Sequence, residues 1–234
     1  MQVRAASTYA TPCALQVIIA SVQVSETMTS SLTLVSLPLF PLHTVLFPGG
    51  YLPLRVFELR YRMMVRCCRE QGAPFGVVTL RSGHETRLHD QPLETFHAVG
   101  TIAHIDSVTH LSSGLELIEC SGKDRFRLTQ ARPLPSGLWV ADVQLLAADV
   151  PVPIPADLRH AATALEQVLH KLEQPHLDNV SEQHFLDCGW VANRWCELLP
   201  MNDHLQLQML ELDSPLLRLE LVTDALERAG IASQ

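Results

Sequence analysis

The sequence predicts an α+β protein, with a β-rich first half closed into a barrel or sandwich and an α-helical bundle behind it. Three observations carry that expectation. From Leu34 to Ala148, short β-branched and aromatic runs alternate with Gly, Ser, Asp and Pro, the punctuation of strands joined by tight turns. Val150 to Pro155 then has a proline at every second position, which fixes φ and removes amide donors, so that neither a helix nor a central strand crosses it. Beyond Pro155 the apolar residues recur with a period of 3.6, as in amphipathic helices packed on one another.

At the N-terminus, Ala14 to Val24 is apolar, but Gln16 and Gln23 interrupt it and only Arg4 precedes it, which makes a poor secretory signal. Residues 1–31 are expected to be an extension, either disordered or upstream of a true start at Met28. The first folded unit is expected over 32–149. In it Leu37 to Arg62, punctuated by Pro38, Pro41, Pro48 and Pro53, reads as an edge strand and a barrel corner bent at Gly49-Gly50. Phe40, Phe47 and Phe57 stand in apolar runs and are expected inside. Tyr61, Met64, Val65 and Cys68 share one helical face, ended by Gly72. Strands follow at Phe75–Leu80, Val99–Ile105, Leu115–Cys120, Arg125–Thr129 and Trp139–Leu146, with turns at Ser112–Gly114 and Ser121–Asp124. The helical unit is expected over 150–234. Leu158, Ala161, Leu165, Val168, Leu169 and Leu172 form one stripe. A helix capped by Ser181 buries Phe185, Cys188, Ala192, Trp195 and Leu199. Two more helices open at Asp203 and at Ser214-Pro215, the last ending near Gly230.

Composition narrows the function. The apolar fraction of 47% and the charged fraction of 18% are those of a globular chain, and no window holds the roughly 18 apolar residues of a membrane span. The net charge of −8 is uneven: residues 32–133 carry 11 basic and 9 acidic groups, residues 156–234 carry 5 and 13. An acidic second half beside a near-neutral first half is a poor platform for phosphates, so nucleic acid is an unfavoured partner. Six cysteines without a CxxC pair fit reduced, mostly buried thiols in the cytoplasm rather than a zinc ribbon or disulfide scaffold. Cys67-Cys68 point about 100° apart on a helix, one inward and one to the flank.

Chemical motifs are missing. No phosphate loop, GxSxG elbow, HExxH or GxGxxG occurs. His84, His89, His97, His104 and His110 crowd together without metal-ligand spacing. Lys123 and Lys171 are the only lysines, one in an expected turn and one on an acidic helix, so neither suits a base of lowered pKa for Ser-Lys catalysis. No catalytic, cofactor or metal residue is therefore assigned, and the chain is expected not to be an enzyme.

LPLFPL, VLFPG, LPLR and FELRY, in this order between Leu37 and Tyr61, followed by FGVV, VGTIA and GKDRFRL, resemble the N-terminal substrate-binding domain of the Lon family of ATP-dependent proteases. The resemblance runs from about Leu34 through Trp139. It implies a PUA-like β pseudo-barrel followed by a helical bundle, and a role in selecting unfolded or tagged polypeptides. It implies no catalytic residue, because the ATPase and Ser-Lys peptidase modules of full-length Lon proteases have no counterpart here.

Two functions are compatible with these readings. The first is a polypeptide-binding or adaptor module, acting on unfolded or tagged chains and with a separate ATPase or protease. It would use the barrel surface or the barrel–bundle cleft, with Tyr51, Leu52 and Trp139 as candidate contacts. Tyr51 and Leu52 come directly after the Gly49-Gly50 bend, and Trp139 opens a strand after a turn, rim positions where aromatic and apolar groups offer contact area. The alternative is an RNA-binding PUA-like module, for which Arg62, Arg66 and Arg69 supply one helical face.

Overall fold

The structure, a computed structural model, describes residues 18–20, 32–86, 93–111, 114–172 and 180–231. In chain order its elements are β1 (Ile18–Ala20), β2 (Thr33–Leu42), β3 (Tyr51–Val56), α1 (Leu59–Gln71), β4 (Phe75–Ser82), β5 (Thr95–His110), β6 (Glu116–Pro133), β7 (Trp139–Leu145), α2 (Arg159–Leu172), α3 (Cys188–Leu198), α4 (Asp203–Glu211) and α5 (Pro215–Arg228). β2 pairs with β4 in parallel; β4, β5, β6 and β7 then follow antiparallel until β7 returns to β2. That circuit closes a five-stranded pseudo-barrel. β3 lengthens the sheet at the first half of β6, and β1 pairs with Thr33–Val35. Within the extension expected over 1–31, Ile18–Ala20 is thus a strand; the rest lies outside the described residues.

Three expectations about the barrel need correction. β2 is not an edge strand, because β7 and β4 flank it. Its prolines survive because pairing is staggered: β7 pairs over Thr33–Leu39 and β4 over Leu39–Leu42, so Pro38 and Pro41 each sit where one flank has no ladder. Ser121–Asp124 is not a turn; β6 runs through it. The reason is Gly122, whose N–H donates to Gly50 O and whose carbonyl accepts from Gly49 N, both at 2.9 Å. A Cβ there would lie 2.2 Å from Phe47 O, so glycine marks a close backbone approach rather than a bend. Phe57 is 58% exposed, because the strand's period of two sends Leu54 and Val56 inward and Phe57 out. Phe40 and Phe47 are buried as expected.

α1 buries Tyr61, Met64, Val65 and Cys68, and Gly72 closes it at φ 61°. Cys67 is buried as well, so both neighbours of the cysteine pair face packed surroundings. Of the expected Ser112–Gly114 turn only Gly114 is described, at φ 79°.

Among the described residues no strand of the sheet lies beyond Leu145, and the helical part that follows the sheet begins at Ala156. α2 buries Ala161, Leu165 and Leu169 against the helical core. The helix expected from Ser181 is two elements: Ser181 caps a 3-10 turn over Glu182–Leu186, and Asp187 then caps α3. Asp187 is extended, accepts from Trp190 N and Val152 N at 2.9 Å, and bridges to Pro153. The linker therefore interrupts the helix. α4 and α5 start where Asn202 and Ser214 accept from backbone N–H groups, and α5 has its proline in the first turn.

Barrel and bundle are tied by buried charge. Arg125 of β6 donates to Leu210 O, Leu212 O and Ala147 O, and to Asp149 at 3.1 Å. Arg218 of α5 donates to the same carboxylate at 2.6 Å, to Met209 O and to Asn193. Val45 and Phe47, between β2 and β3, pack into the helical core.

Candidate polypeptide-binding cleft

The segment 44–53, which carries the VLFPG and LPLR motifs, is held on two sides. Toward the sheet, Thr101 Oγ1 donates to Leu46 O at 2.5 Å, besides the Gly122 pair. Toward the helices, Arg194 of α3 donates to Gly49 O and to Pro48 O. Gly50 lets α3 come close: a Cβ there would meet Glu197 Oε1 at 2.2 Å.

A cleft of about 810 Å³ opens between this segment and the helices. Tyr51, Leu52 and Pro53 form the barrel wall; Leu169, Leu172, Trp190 and Leu198 form the helical wall. Trp190 is set by edge contact with Phe185 at 5.2 Å between ring centres, and the Arg194 guanidinium lies 5.7 Å from its ring. Arg194 and Glu197 pair at 2.9 Å and also line the cleft. Burial pushes the Glu197 carboxyl up to about 7; the Arg194 charge and the Phe47 N–H pull in the other direction. Both walls of the cleft thus carry apolar side chains, and Thr44, His184, Gln206 and the Arg194–Glu197 pair add polar groups to the lining.

Tyr51 and Leu52 are both half-buried and both line this cleft. The Tyr51 hydroxyl donates to Glu119 at 2.9 Å; burial, and next that bond, raise its pKa above 10. Trp139 is corrected: it is 7% exposed, its indole N–H donates to buried Glu94 at 3.1 Å, and Phe96 meets its ring edge-on at 4.9 Å. It pairs with Leu39 on one flank and Pro133 on the other. Its ring packs in the apolar core with Leu37, Leu39 and Val78 and does not line the cleft.

The sequence reading missed Trp190, Arg194 and Glu197. They stand at i, i+4 and i+7 on α3, a second stripe beside the buried one, and that spacing was the available signal. Among the described residues no group of three or more His, Cys, Asp or Glu side chains is placed to hold a metal ion. Cys68, Cys120, Cys188 and Cys196 are free and buried, and burial raises their thiol pKa values to about 11–12, away from reactivity. Among the described residues no helix is long and apolar enough to cross a membrane.

The family model for the ATP-dependent protease La (LON) substrate-binding domain matches residues 36–228. A solved Lon N-terminal domain protein from Xanthomonas campestris is 33% identical, with a TM-score of 0.63 over 81% of this chain and 97% of that one. The N-terminal domain of a Mycobacterium avium complex Lon protease shares the fold at 16% identity, with a TM-score of 0.53 over 81% and 96%. No curated protein matches the sequence. The match over 36–228 runs from within β2 through the signature segment to the end of α5, and the chain belongs to the Lon substrate-binding domain family.

Proposed function

We propose that this chain is a non-catalytic polypeptide-binding module, a recognition or adaptor unit that holds exposed apolar segments of unfolded or tagged chains in the cleft between barrel and bundle. The observation that carries it is the cleft itself: about 810 Å³, with apolar side chains contributed by two structural units and interspersed polar groups that include a paired charge. Such a surface gains free energy by removing apolar area from water. β3 lies at the end of the sheet and contains Pro53, which blunts strand addition to that edge. Recognition therefore falls to side chains rather than to backbone pairing. The family relationship supports the same role, and we place the module in the cytoplasm, handing its cargo to a separate ATPase or protease.

The test is retention of an unfolded polypeptide such as casein, with the cleft variants Leu52→Ser and Leu198→Ser. Each should weaken binding by about 1–2 kcal/mol, roughly 5–30-fold, with little change on adding salt. Binding unaffected by either variant would remove the cleft from the function. Loss of polypeptide retention together with RNA affinity falling steeply with salt would favour the nucleic-acid alternative. That alternative rests on Arg62, Arg66 and Arg69, of which Arg66 pairs with Glu70 at 2.9 Å and Arg62 approaches Glu116 at 3.8 Å.

A further inference from the structure

Away from the cleft, two grooves of about 380 Å³ each combine exposed apolar side chains with charge of opposite sign. The first lies over α1. Leu59, 70% exposed, and Met63 line it, and exposed Phe57 stands two residues before. Its charged lining is Arg62, Arg66 and Arg69 against Glu70 and Glu116. The two carboxylates approach Arg66 and Arg62, and Arg69 has no ion pair among the described residues, so this groove is net positive. The second lies between the start of α2 and α5. Leu217 and Leu221, one helical turn apart and both exposed, line it with Asp157, Glu220, Asp224 and Glu227. Against these four carboxylates stand His160, 4.0 Å from Glu227, and Arg228, 3.7 Å from Asp224, so this groove is net negative.

We propose that the two grooves are the two halves of one interface, by which the chain associates head to tail with a second copy of itself. Phe57 and Leu59 of one copy would be covered by the Leu217 and Leu221 face of the next, with arginines meeting carboxylates at the rim. Exposed large apolar residues beside a groove mark interaction surfaces, and opposite charge selects which surfaces meet. Pairing either groove with itself would put Arg against Arg or carboxylate against carboxylate, so each groove meets the opposite groove of another copy. The two grooves share no lining residue with the cleft, so the self-association stands or falls separately from polypeptide binding.

Sedimentation over a concentration series up to about 0.1 mM, in about 0.05 M and about 0.5 M salt, tests it. The full chain should associate at low salt, and high salt should raise the dissociation constant about tenfold. Two variants each remove one face at exposed positions: Leu59→Ser/Arg69→Ala, and Glu220→Ala/Leu221→Ser. Each alone should be monomeric where the unaltered chain associates, with an unchanged urea midpoint showing that it is folded. An equimolar mixture should form a one-to-one dimer and nothing larger, because one intact face of each kind remains. A chain monomeric throughout at low salt, variants that associate like the unaltered chain, or a mixture that stays monomeric would each overturn the proposal.

Discussion

Replacing Asp149 by Ala should be among the most damaging single changes in this protein, although the residue belongs to no regular element and touches no part of the cleft. Its carboxylate lies 2.6 Å from Arg218 and 3.1 Å from Arg125, whose side chains are 1% and 3% exposed. Both arginines keep bonds without it: Arg125 to Leu210 O, Leu212 O and Ala147 O, and Arg218 to Met209 O, Leu212 O and Asn193. The substitution therefore removes the counter-charge for two buried cations more than their hydrogen bonds. Burial already draws the Arg125 pKa down, and Asp149 is the largest influence opposing that shift. Breaking a buried pair on one side costs about 3–5 kcal/mol. The remaining carboxylate near Arg125, Asp213 at 3.6 Å, is 88% exposed and screened by water, so Asp213→Ala should cost under about 1 kcal/mol. The measurement is urea unfolding. Asp149→Ala should lower the midpoint by the larger amount with an unchanged slope, in one transition, because the network ties β6 to α5 across the linker. A midpoint equal to that of the unaltered protein, or two transitions in the unaltered protein, would refute the reasoning.

Three further outcomes are expected from packing and burial. Phe47→Ala should cost about 3–5 kcal/mol, since the ring is wholly buried in the helical core, whereas Phe57→Ser at an exposed position should stay within about 0.5 kcal/mol; equal midpoints for the two variants would contradict the structure. Gly122→Ala should destabilise by more than about 1 kcal/mol, because the new Cβ meets a backbone oxygen at 2.2 Å, and an unchanged thermal midpoint would show that the loop can retreat. Glu197 supplies a pH dependence. Its folded pKa of about 7 lies above the ordinary 4.5 because burial disfavours the charge. The folded state thus binds its proton more tightly, and its contribution is complete below about pH 4.5 and lost as the pH rises through about 7. Stability of the unaltered protein relative to Glu197→Gln should therefore fall across that window by an amount on the order of 1–3 kcal/mol. A constant difference would mean that the carboxyl titrates normally.

The change of period was enough to expect strands before Val150 and helices after Pro155, because burial on a pleated sheet and on a helix demands different spacings of apolar residues. Register was not legible. Pro38 and Pro41 argued for an edge by composition, yet a strand can be central if its two partners overlap it at Leu39 and leave each proline one open flank. Phe57 was legible and was misjudged: Leu54 and Val56 fix the inward phase, so the next odd position faces out. Ser121–Asp124 read as a turn because Gly and Asp dominate turns, whereas Gly122 is required by a backbone some seventy residues earlier in the chain, a contact that no local pattern announces.

The candidate site divides along the same line. Tyr51 and Leu52 could be singled out because a Gly-Gly bend presents the side chains next to it. Trp139 could not be assigned from its turn alone, since its exposure depends on whether the barrel closes around β7, and it does. Trp190, Arg194 and Glu197 acquire meaning only from segment 44–53, with 145 residues separating Arg194 from Gly49. That segment inserts Val45 and Phe47 into the helical core, gives two carbonyls to Arg194 and docks on Gly122. The Pro- and Gly-rich signature is thus the joint between barrel and bundle, and the same residues form one wall of the cleft. A wall whose carbonyls are held by hydrogen bonds on both sides is preformed, so under the proposed function a bound segment would meet a surface whose ordering cost was met in folding, and a modest apolar area would suffice without closure around it.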